Sequence, residues 1–305
     1  MLFRHASRVA FPPVRRMNHS VLRWPGRVAC LFASIALGDV APARLAPEID
    51  IVGFDYAFKV PAELPPGLTT FRFRNVGKHR HEFNIVQLKS GVSLRQFIDA
   101  ANTDRPLSPM IERTVGVLFA EPGEASASAL SVNLVAGGTY AVQCIFRDSS
   151  KAPRHRVLGM FTSIVVAKAG QSPRDTRPAP AVDTIVAMDY AFKFPRTLAP
   201  GRHRLVFVNA GKQRHEISLG RIKSDATYRQ IVDLDSKDGD IEPLLDQAFG
   251  VLHAQGGANA AGTLDVDLLA GREYLLECGF SDTDKSPPHY KLGMSGSIKI
   301  ISPRR

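Results

Sequence analysis

Four residue types with metal-binding side chains occur twice along the chain, each time in the same order. The two sets are His81, Cys144, His155 and Met160, then His215, Cys278, His289 and Met294. Imidazole suits Cu(II), whereas thiolate and thioether suit Cu(I), so a mixed set tolerates both oxidation states of copper. In such a site two imidazoles and a thiolate form a trigonal plane, and the methionine is a long, weak axial ligand. The residue types therefore predict two mononuclear, type 1-like copper sites that exchange single electrons or hold the metal.

The elements that position these residues also occur twice, because the chain contains an internal repeat at an offset of 134 residues. The segment Asp55-Tyr56-Ala57-Phe58-Lys59 recurs as 189–193, and Gly116-Val117-Leu118 recurs as 250–252. A repeat of this length, about 120 residues, is the size of an ordinary domain. Proline, glycine and polar residues are frequent between the copies, as in an exposed linker. We predict a leader at 1–43, a first domain at 48–168, a linker at 169–181 and a second domain at 182–302.

Each copy has the pattern of a β-sandwich with one short helix. Residues 70–74 and 130–134 alternate apolar and polar side chains, which is typical of half-buried strands. Ser93 with Gln96, and Thr227 with Gln230, form capping-box patterns that predict a helix start in each copy. Short strands separated by turn residues, with one helical insert, favour an all-β fold of two tandem Greek-key sandwiches.

With these motifs in place, both copies resemble the cupredoxins, the plastocyanin-like blue copper domains. The runs from Asn75 to His81 and from Asn209 to His215 resemble the strand end that carries the first histidine ligand in that family. The late Cys…His-x4-Met segments resemble its ligand loop. The resemblance implies a Greek-key sandwich, copper at one end of each domain, and electron transfer with an unidentified redox partner protein.

The ligand loops depart from the family in their length. Ten residues separate Cys144 from His155, and ten separate Cys278 from His289. A longer loop can still return its histidine to the metal, since each doubling of loop length costs only about 0.6 kcal/mol. We expect, however, that the longer loop leaves the site less preorganised.

The charge of the chain is concentrated before the first domain. Residues 1–47 carry seven arginines against one acidic residue, out of a formal net charge of +10. No basic stripe of the kind that binds nucleic acid remains elsewhere. Residues 17–43 have the positive, apolar and A-x-A segments of a secretory signal, with Met17 as an alternative start. The composition also permits an organelle transit peptide, but the order of the segments favours secretion. We predict a periplasmic or secreted protein with no transmembrane segment after leader removal.

Several neighbours of the candidate ligands limit the other readings of the sequence. No histidine flanks Cys144 or Cys278 to bridge to a second copper, so we predict that the chain is not a multicopper oxidase or a nitrite reductase. A disulfide between these cysteines is disfavoured because each occupies the corresponding core position of a different domain. A copper chaperone is disfavoured by the small number of methionines. The open alternative is a metal-free cupredoxin-like module that serves as a periplasmic interaction or structural protein.

Other polar residues near the ligands have more than one interpretation. Glu82 and Glu216 follow the first histidines, and they either orient the imidazoles or lie as solvated carboxylates at a strand end. Asp55 and Tyr56 are predicted to be structural. His79 and His253, which have no histidine counterpart in the other copy, are predicted to lie at the surface.

Overall fold

A computed structural model describes residues 48–103, 105, 107–169, 180–283 and 285–302 of the chain. The predicted leader and most of the predicted linker lie outside the described residues. Ala181, which the sequence analysis placed in the linker, is the first residue of a strand. Within the described ranges, no helix is long and apolar enough to cross a membrane.

Within the described residues, each half contributes nine strands and one α-helix, and these elements follow the same order in both halves. The first half contains β1 (Glu48–Phe54), β2 (Ala57–Lys59), β3 (Glu63–Leu64), β4 (Gly67–Asn75), β5 (His81–Leu88), α1 (Leu94–Asn102), β6 (Ile111–Ala120), β7 (Ala125–Leu134), β8 (Thr139–Gln143) and β9 (Phe161–Val166). The second half contains β10 (Ala181–Met188), β11 (Ala191–Lys193), β12 (Thr197–Leu198), β13 (Gly201–Asn209), β14 (His215–Ile222), α2 (Tyr228–Asp235), β15 (Leu245–Ala254), β16 (Gly262–Leu268), β17 (Glu273–Glu277) and β18 (Ser295–Ile300). The predicted all-β fold is confirmed.

The helices begin where the capping boxes predicted. In α1 the Ser93 hydroxyl accepts the Gln96 backbone N–H, and the Gln96 side chain accepts the Ser93 backbone N–H. Thr227 and Gln230 make the same pair of bonds at α2. Phe97 and Ile98 of α1 are buried against β5, so the outer face of this strand is covered as well as its inner face. All eight residues of β5 are consequently buried, including its first residue, His81.

The strands form two sheets that run through both halves. The smaller sheet has the order β11-β10-β13-β16-β7-β4-β1-β2, and the larger has the order β12-β18-β17-β14-β15-β6-β5-β8-β9-β3. Alternate residues of β4, such as Phe71 and Phe73, point into the space between the sheets and are fully buried. Apolar residues of both halves belong to one hydrophobic cluster between the sheets. Burial of this continuous core is the main stabilising contribution to the fold.

The two halves meet through pairs of equivalent residues. Val117 of β6 pairs with Val251 of β15, and Leu130 of β7 pairs with Leu264 of β16; each pair is related by the repeat offset. The halves are therefore related by an approximate two-fold axis that passes between these strands. At the same junction Arg204 forms a two-point ion pair with Asp265, whose Oδ2 also accepts the Ser131 hydroxyl at 3.0 Å.

Glycines allow the junction strands to approach closely. A Cβ atom on Gly250 would lie 2.6 Å from the Val117 carbonyl oxygen and 2.9 Å from Leu264 Cδ2. Because the nearest atom belongs to the backbone, an added methyl group can be accommodated only by moving a strand.

We predict that Gly250→Ala destabilises the protein by about 1–3 kcal/mol, the usual cost of overpacking. Replacing glycine by alanine in a strand otherwise stabilises by about 0.5–1 kcal/mol, so the sign of the change is diagnostic. Urea unfolding measures it. Val182→Ala, at a side chain that is 63% exposed, is the control and should change the free energy of unfolding by less than about 0.5 kcal/mol. A neutral or stabilising Gly250→Ala would contradict the close junction.

Candidate metal centres

In the first half, two imidazoles and a thiol converge at one end of the sandwich. His81 begins β5, Cys144 directly follows β8, and His155 lies on the loop between β8 and β9. The two histidine Nδ1 atoms are 3.0 Å apart, and Cys144 Sγ lies 4.0 Å from that of His81 and 3.5 Å from that of His155. All three side chains are completely buried.

The second half repeats this arrangement with the residues 134 positions later. The Nδ1 atoms of His215 and His289 are 3.0 Å apart, and Cys278 Sγ lies 3.9 and 3.5 Å from them. Both cysteines are free thiols, so the disulfide alternative is excluded in this structure. Among the described residues, these two His-Cys-His groups are the sets of histidine, cysteine and carboxylate side chains whose donor atoms come together closely enough for a metal ion.

The spacing of the donor atoms fits a metal ion. A first-row ion bonded to nitrogen at about 2.0 Å and to sulfur at about 2.3 Å in a trigonal plane separates its donors by roughly 3.5 Å. The distances in both centres, 3.0 to 4.0 Å, lie on either side of this value. Little movement is therefore needed for the three donors of each centre to contact one ion.

Hydrogen bonds across the ligand loop explain why its length does not scatter the donors. The His155 backbone N–H donates to Phe146 O at 3.0 Å, and the Arg156 N–H donates to Cys144 O at 2.8 Å. The same two bonds recur at His289 and Tyr290. The ten intervening residues therefore form a loop whose two ends are bonded to each other, and the lower preorganisation expected of a longer loop stays a prediction.

The methionines are placed by the same loops. The Met160 N–H donates to His155 O at 2.9 Å, and the Met160 carbonyl accepts the Cys144 N–H at 3.1 Å. Met294 makes the equivalent bonds with His289 and Cys278. Both methionine side chains are fully buried. Each methionine is thus tied through its backbone to two candidate ligands, and its role as the axial ligand remains a prediction.

Aspartates hold the outer nitrogens of the histidines. Asp55 Oδ1 lies 3.0 Å from His81 Nε2, and Asp148 Oδ1 lies 3.2 Å from His155 Nε2. Asp189 and Asp282 take these places in the second half, at 3.4 and 3.1 Å. A carboxylate accepts a hydrogen bond, so each Nε2 carries the proton and each neutral ring presents a lone pair at Nδ1. Asp55 was predicted to be structural, and its contact with His81 was not predicted.

Asp55 is itself fixed by the backbone that precedes His81. It accepts the N–H groups of Lys78 at 2.9 Å and of His79 at 3.2 Å. Burial alone raises the pKa of this carboxyl, but the hydrogen bonds from Lys78, His81 and His79 outweigh burial and bring the pKa to about 2. Gly77 is required for this turn, because a Cβ there would lie 2.3 Å from Asp55 Oδ1. Asp55 is therefore ionised at neutral pH and oriented before any metal arrives.

Burial sets the protonation of the donors. It lowers the pKa of His81 and of His155, although the neighbouring aspartates act in the opposite direction. Burial also raises the pKa of the Cys144 thiol well above its ordinary value, with the charge of Glu82 acting in the same direction. Before a metal binds, the centre accordingly holds neutral imidazoles and a protonated thiol, and a metal that binds the sulfur would displace the thiol proton.

A tyrosine in a strained backbone conformation packs against the histidines of each centre. Tyr56 and Tyr190 have φ angles of +81° and +63°, which are costly for a bulky side chain. The Tyr56 ring meets the His155 ring edge-on at 4.9 Å, and the Tyr190 ring meets that of His289 at 5.0 Å. Tyr190 Oη also donates to Asp282 Oδ2 at 2.5 Å. This bond, followed by burial, raises the pKa of Tyr190 to about 12.

The glutamates that follow the first histidines contact the thiol side of each centre. Glu82 Oε1 accepts the Ile145 N–H at 2.8 Å, and the Glu82 N–H donates to Cys144 Sγ at 3.4 Å. Glu216 makes the corresponding contacts with Gly279 and Cys278. Both carboxyl groups are buried, and burial raises the pKa of Glu82 to about 7. The interpretation as solvated carboxylates is wrong, because both side chains are buried and each holds the residue that follows the cysteine.

The two unmatched histidines have different environments. The His79 side chain is 42% exposed and lies 3.1 Å from Asp148 Oδ1, so it is a partly exposed neighbour of the first centre. His253 was expected at the surface, and this expectation is wrong because its side chain is buried on β15. It packs against Phe280, and neither of its ring nitrogens has a hydrogen-bond partner among the residues that the structure describes. Its position opposite Glu216 in the β14–β15 pairing carries it beneath the second ligand loop.

We predict that Asp55→Ala lowers metal affinity at the first centre about 10- to 100-fold, the usual effect of removing a carboxylate behind a histidine ligand. The variant frees His81 Nε2 and leaves the Lys78 and His79 N–H groups without their acceptor. Metal titration in a Cys278→Ser background isolates this centre. Asp50→Ala, at an exposed carboxylate on β1, is the control and should bind as the parent does. Unchanged affinity in Asp55→Ala would contradict a supporting role for Asp55.

No family model and no curated protein matches the chain. Among solved structures, the chain is similar to reduced auracyanin from the photosynthetic bacterium Roseiflexus castenholzii, at 21% identity over 40% of this chain and 98% of that one, with a TM-score of 0.28. Azurin from Methylomonas sp. strain J matches at 14% identity over 40% and 98%, with a TM-score of 0.27. The multicopper oxidase Fet3p, which functions in iron import, matches at 12% identity over 86% and 67%, with a TM-score of 0.27. The repeated strand order and the paired His-Cys-His centres form the duplicated all-β architecture that the sequence predicted.

Proposed function

We propose that this protein binds copper, with one ion in each half, and that it transfers single electrons or holds the metal. The observation that carries the proposal is the pair of facing Nδ1 atoms in each centre. Because both Nε2 atoms are held by aspartates, two nitrogen lone pairs face each other at 3.0 Å beside a buried thiol. Two such lone pairs repel unless a cation or a proton lies between them. A metal ion would remove this repulsion in both centres.

The donor chemistry favours copper over other metals. Two imidazoles, one thiolate and a buried methionine form the set that stabilises both Cu(I) and Cu(II). Bound copper would supply a one-electron couple. In this assignment His81, Cys144, His155 and Met160 would hold the ion of the first half. His215, Cys278, His289 and Met294 have the same roles in the second half.

The remaining residues keep each centre fixed and dry. The aspartates fix the orientation of the rings, the tyrosines cover the histidine edges, and the bonds within the ligand loop fix the cysteine relative to its histidine. A fixed ligand set suits electron transfer because little reorganisation accompanies a change of charge. The absence of a histidine beside either cysteine supports a carrier in preference to an oxidase. The leader pattern supports a periplasmic or secreted location.

We predict that the protein takes up two copper ions per chain and develops a visible thiolate-to-copper charge-transfer band. Cys144→Ser and Cys278→Ser should each bind one ion with about half of the band intensity, and the double variant should have no band. Copper analysis with visible spectroscopy measures both quantities. A colourless protein that takes up no copper would favour the metal-free interaction module. Unequal loss in the two single variants would show that only one centre works.

We predict that Met160→Leu in a Cys278→Ser background shifts the charge-transfer band and raises the reduction potential, because replacing the weak thioether donor by a hydrocarbon leaves Cu(II) with less support. Leucine and methionine have similar volumes, so the cost in stability should be below about 1.5 kcal/mol. Met110→Leu, at a partly buried methionine packed against the α1 cluster, is the matched control. An unchanged spectrum and potential in Met160→Leu would remove Met160 from the ligand set.

A further inference from the structure

The two centres have nearly the same ligand geometry but differ in the charged groups behind the thiol. Corresponding donor distances differ by at most 0.1 Å between the halves. An aspartate on each histidine is also common to both centres. Any difference in redox behaviour must therefore come from residues that contact the ligands from outside.

In the first half, positive charges outnumber negative charges behind the thiol. The buried carboxyl group of Glu82 interacts electrostatically with Arg154 and Arg156, both on the ligand loop. Arg156 is itself buried and donates to Ala101 O at 2.6 Å, and Arg154 donates to Ile145 O at 2.9 Å. The residue before the cysteine is the neutral Gln143. Two guanidinium groups therefore face the one buried carboxyl group of Glu82 on this side of the centre.

In the second half, negative charges outnumber positive charges at the equivalent place. Pro288 and Tyr290 replace the two loop arginines, and Glu277 replaces Gln143. Glu277 is 1% exposed, and its charge and that of Glu216 both act on the Cys278 thiol. The compensating cation is Arg214, which interacts with Glu216 and Cys278. Two carboxyl groups therefore face one guanidinium group at this place.

The residue of the first half that corresponds to Arg214 is Arg80, and its side chain has other partners. Arg80 forms ion pairs with Glu121 and with Glu242 of the second half. Its single positive charge meets two carboxylates, so Arg80 adds no positive charge to the side of Cys144.

On the proposed function of copper binding, we infer that the two centres have unequal reduction potentials and that the first half is the electron acceptor of the pair. Reduction lowers the charge of the metal by one, so nearby cations favour the reduced ion and nearby anions favour the oxidised ion. In a half-reduced molecule, one electron leaves Cu(I) in the second half, which becomes Cu(II), and converts Cu(II) in the first half to Cu(I). No other reactant is consumed. Glu277 and Arg156 are the tuning residues that distinguish the two centres.

Single-centre variants test the inference. Cys278→Ser reports the first centre and Cys144→Ser reports the second, each loaded with Cu(II) and titrated spectroelectrochemically with mediators. We expect the Cu(I)/Cu(II) ratio of the first centre to exceed that of the second at least tenfold at the same applied potential, which is 59 mV for one electron. Equal potentials, or a higher potential in the second centre, would overturn the inference. Failure of both variants to bind copper would instead refute the proposed function on which it rests.

Two substitutions assign the difference to particular residues. Glu277→Gln should raise the potential of the second centre, and Gln143→Glu should lower that of the first. Glu273→Gln, four residues earlier on the same strand and hydrogen-bonded to Ser297, is the matched control and should leave the potential unchanged. Circular dichroism checks that each variant is folded. The reduction potential of either folded variant, Glu277→Gln or Gln143→Glu, is sufficient to test this position. If neither folds, the comparison of the two single-centre variants still decides the inference. An unmoved potential in a folded variant would show that this position does not tune the centre.

Discussion

Burial of two neutral imidazoles beside a thiol, with their lone pairs directed at one another, is the constraint on which the rest of the structure depends. The arrangement is unfavourable without a cation, and the protein maintains it with groups that are not ligands. Aspartates fix each outer nitrogen, backbone bonds close each ligand loop, and a strained tyrosine packs against each pair of rings. That such a costly arrangement occurs in both halves indicates that it serves the same chemistry twice.

The elements that depend on local sequence were predictable. The capping boxes specified both helix starts, and the offset of 134 residues anticipated that every strand of the first half would recur in the second. The candidate histidine and cysteine ligands of each half also lie together, because a strand end and a loop anchored at both ends return to the same edge of the sandwich. Local patterns and the repeat were sufficient for these features.

The features that were missed depend on contacts between distant parts of the chain. Nothing in the pattern of β6 or β15 distinguishes an edge that faces solvent from one that pairs with the other half, so the continuous sheets were not predicted. His253 was misplaced because its burial depends on a loop that follows it by some 30 residues. The role of Asp55 was missed because an aspartate at a turn is more often explained by the turn itself.

The approximate two-fold axis through Val117 and Val251 has a consequence for how the halves can differ. Two separate copies joined through these strands would form a symmetric dimer, in which every substitution occurs at both centres at once. Covalent fusion removes that coupling. Gln143 can differ from Glu277, and His79 from Gln213, while the shared core stays intact. Joining the copies end to end thus allows the two centres of one fold to differ from each other, which the centres of a symmetric homodimer cannot do.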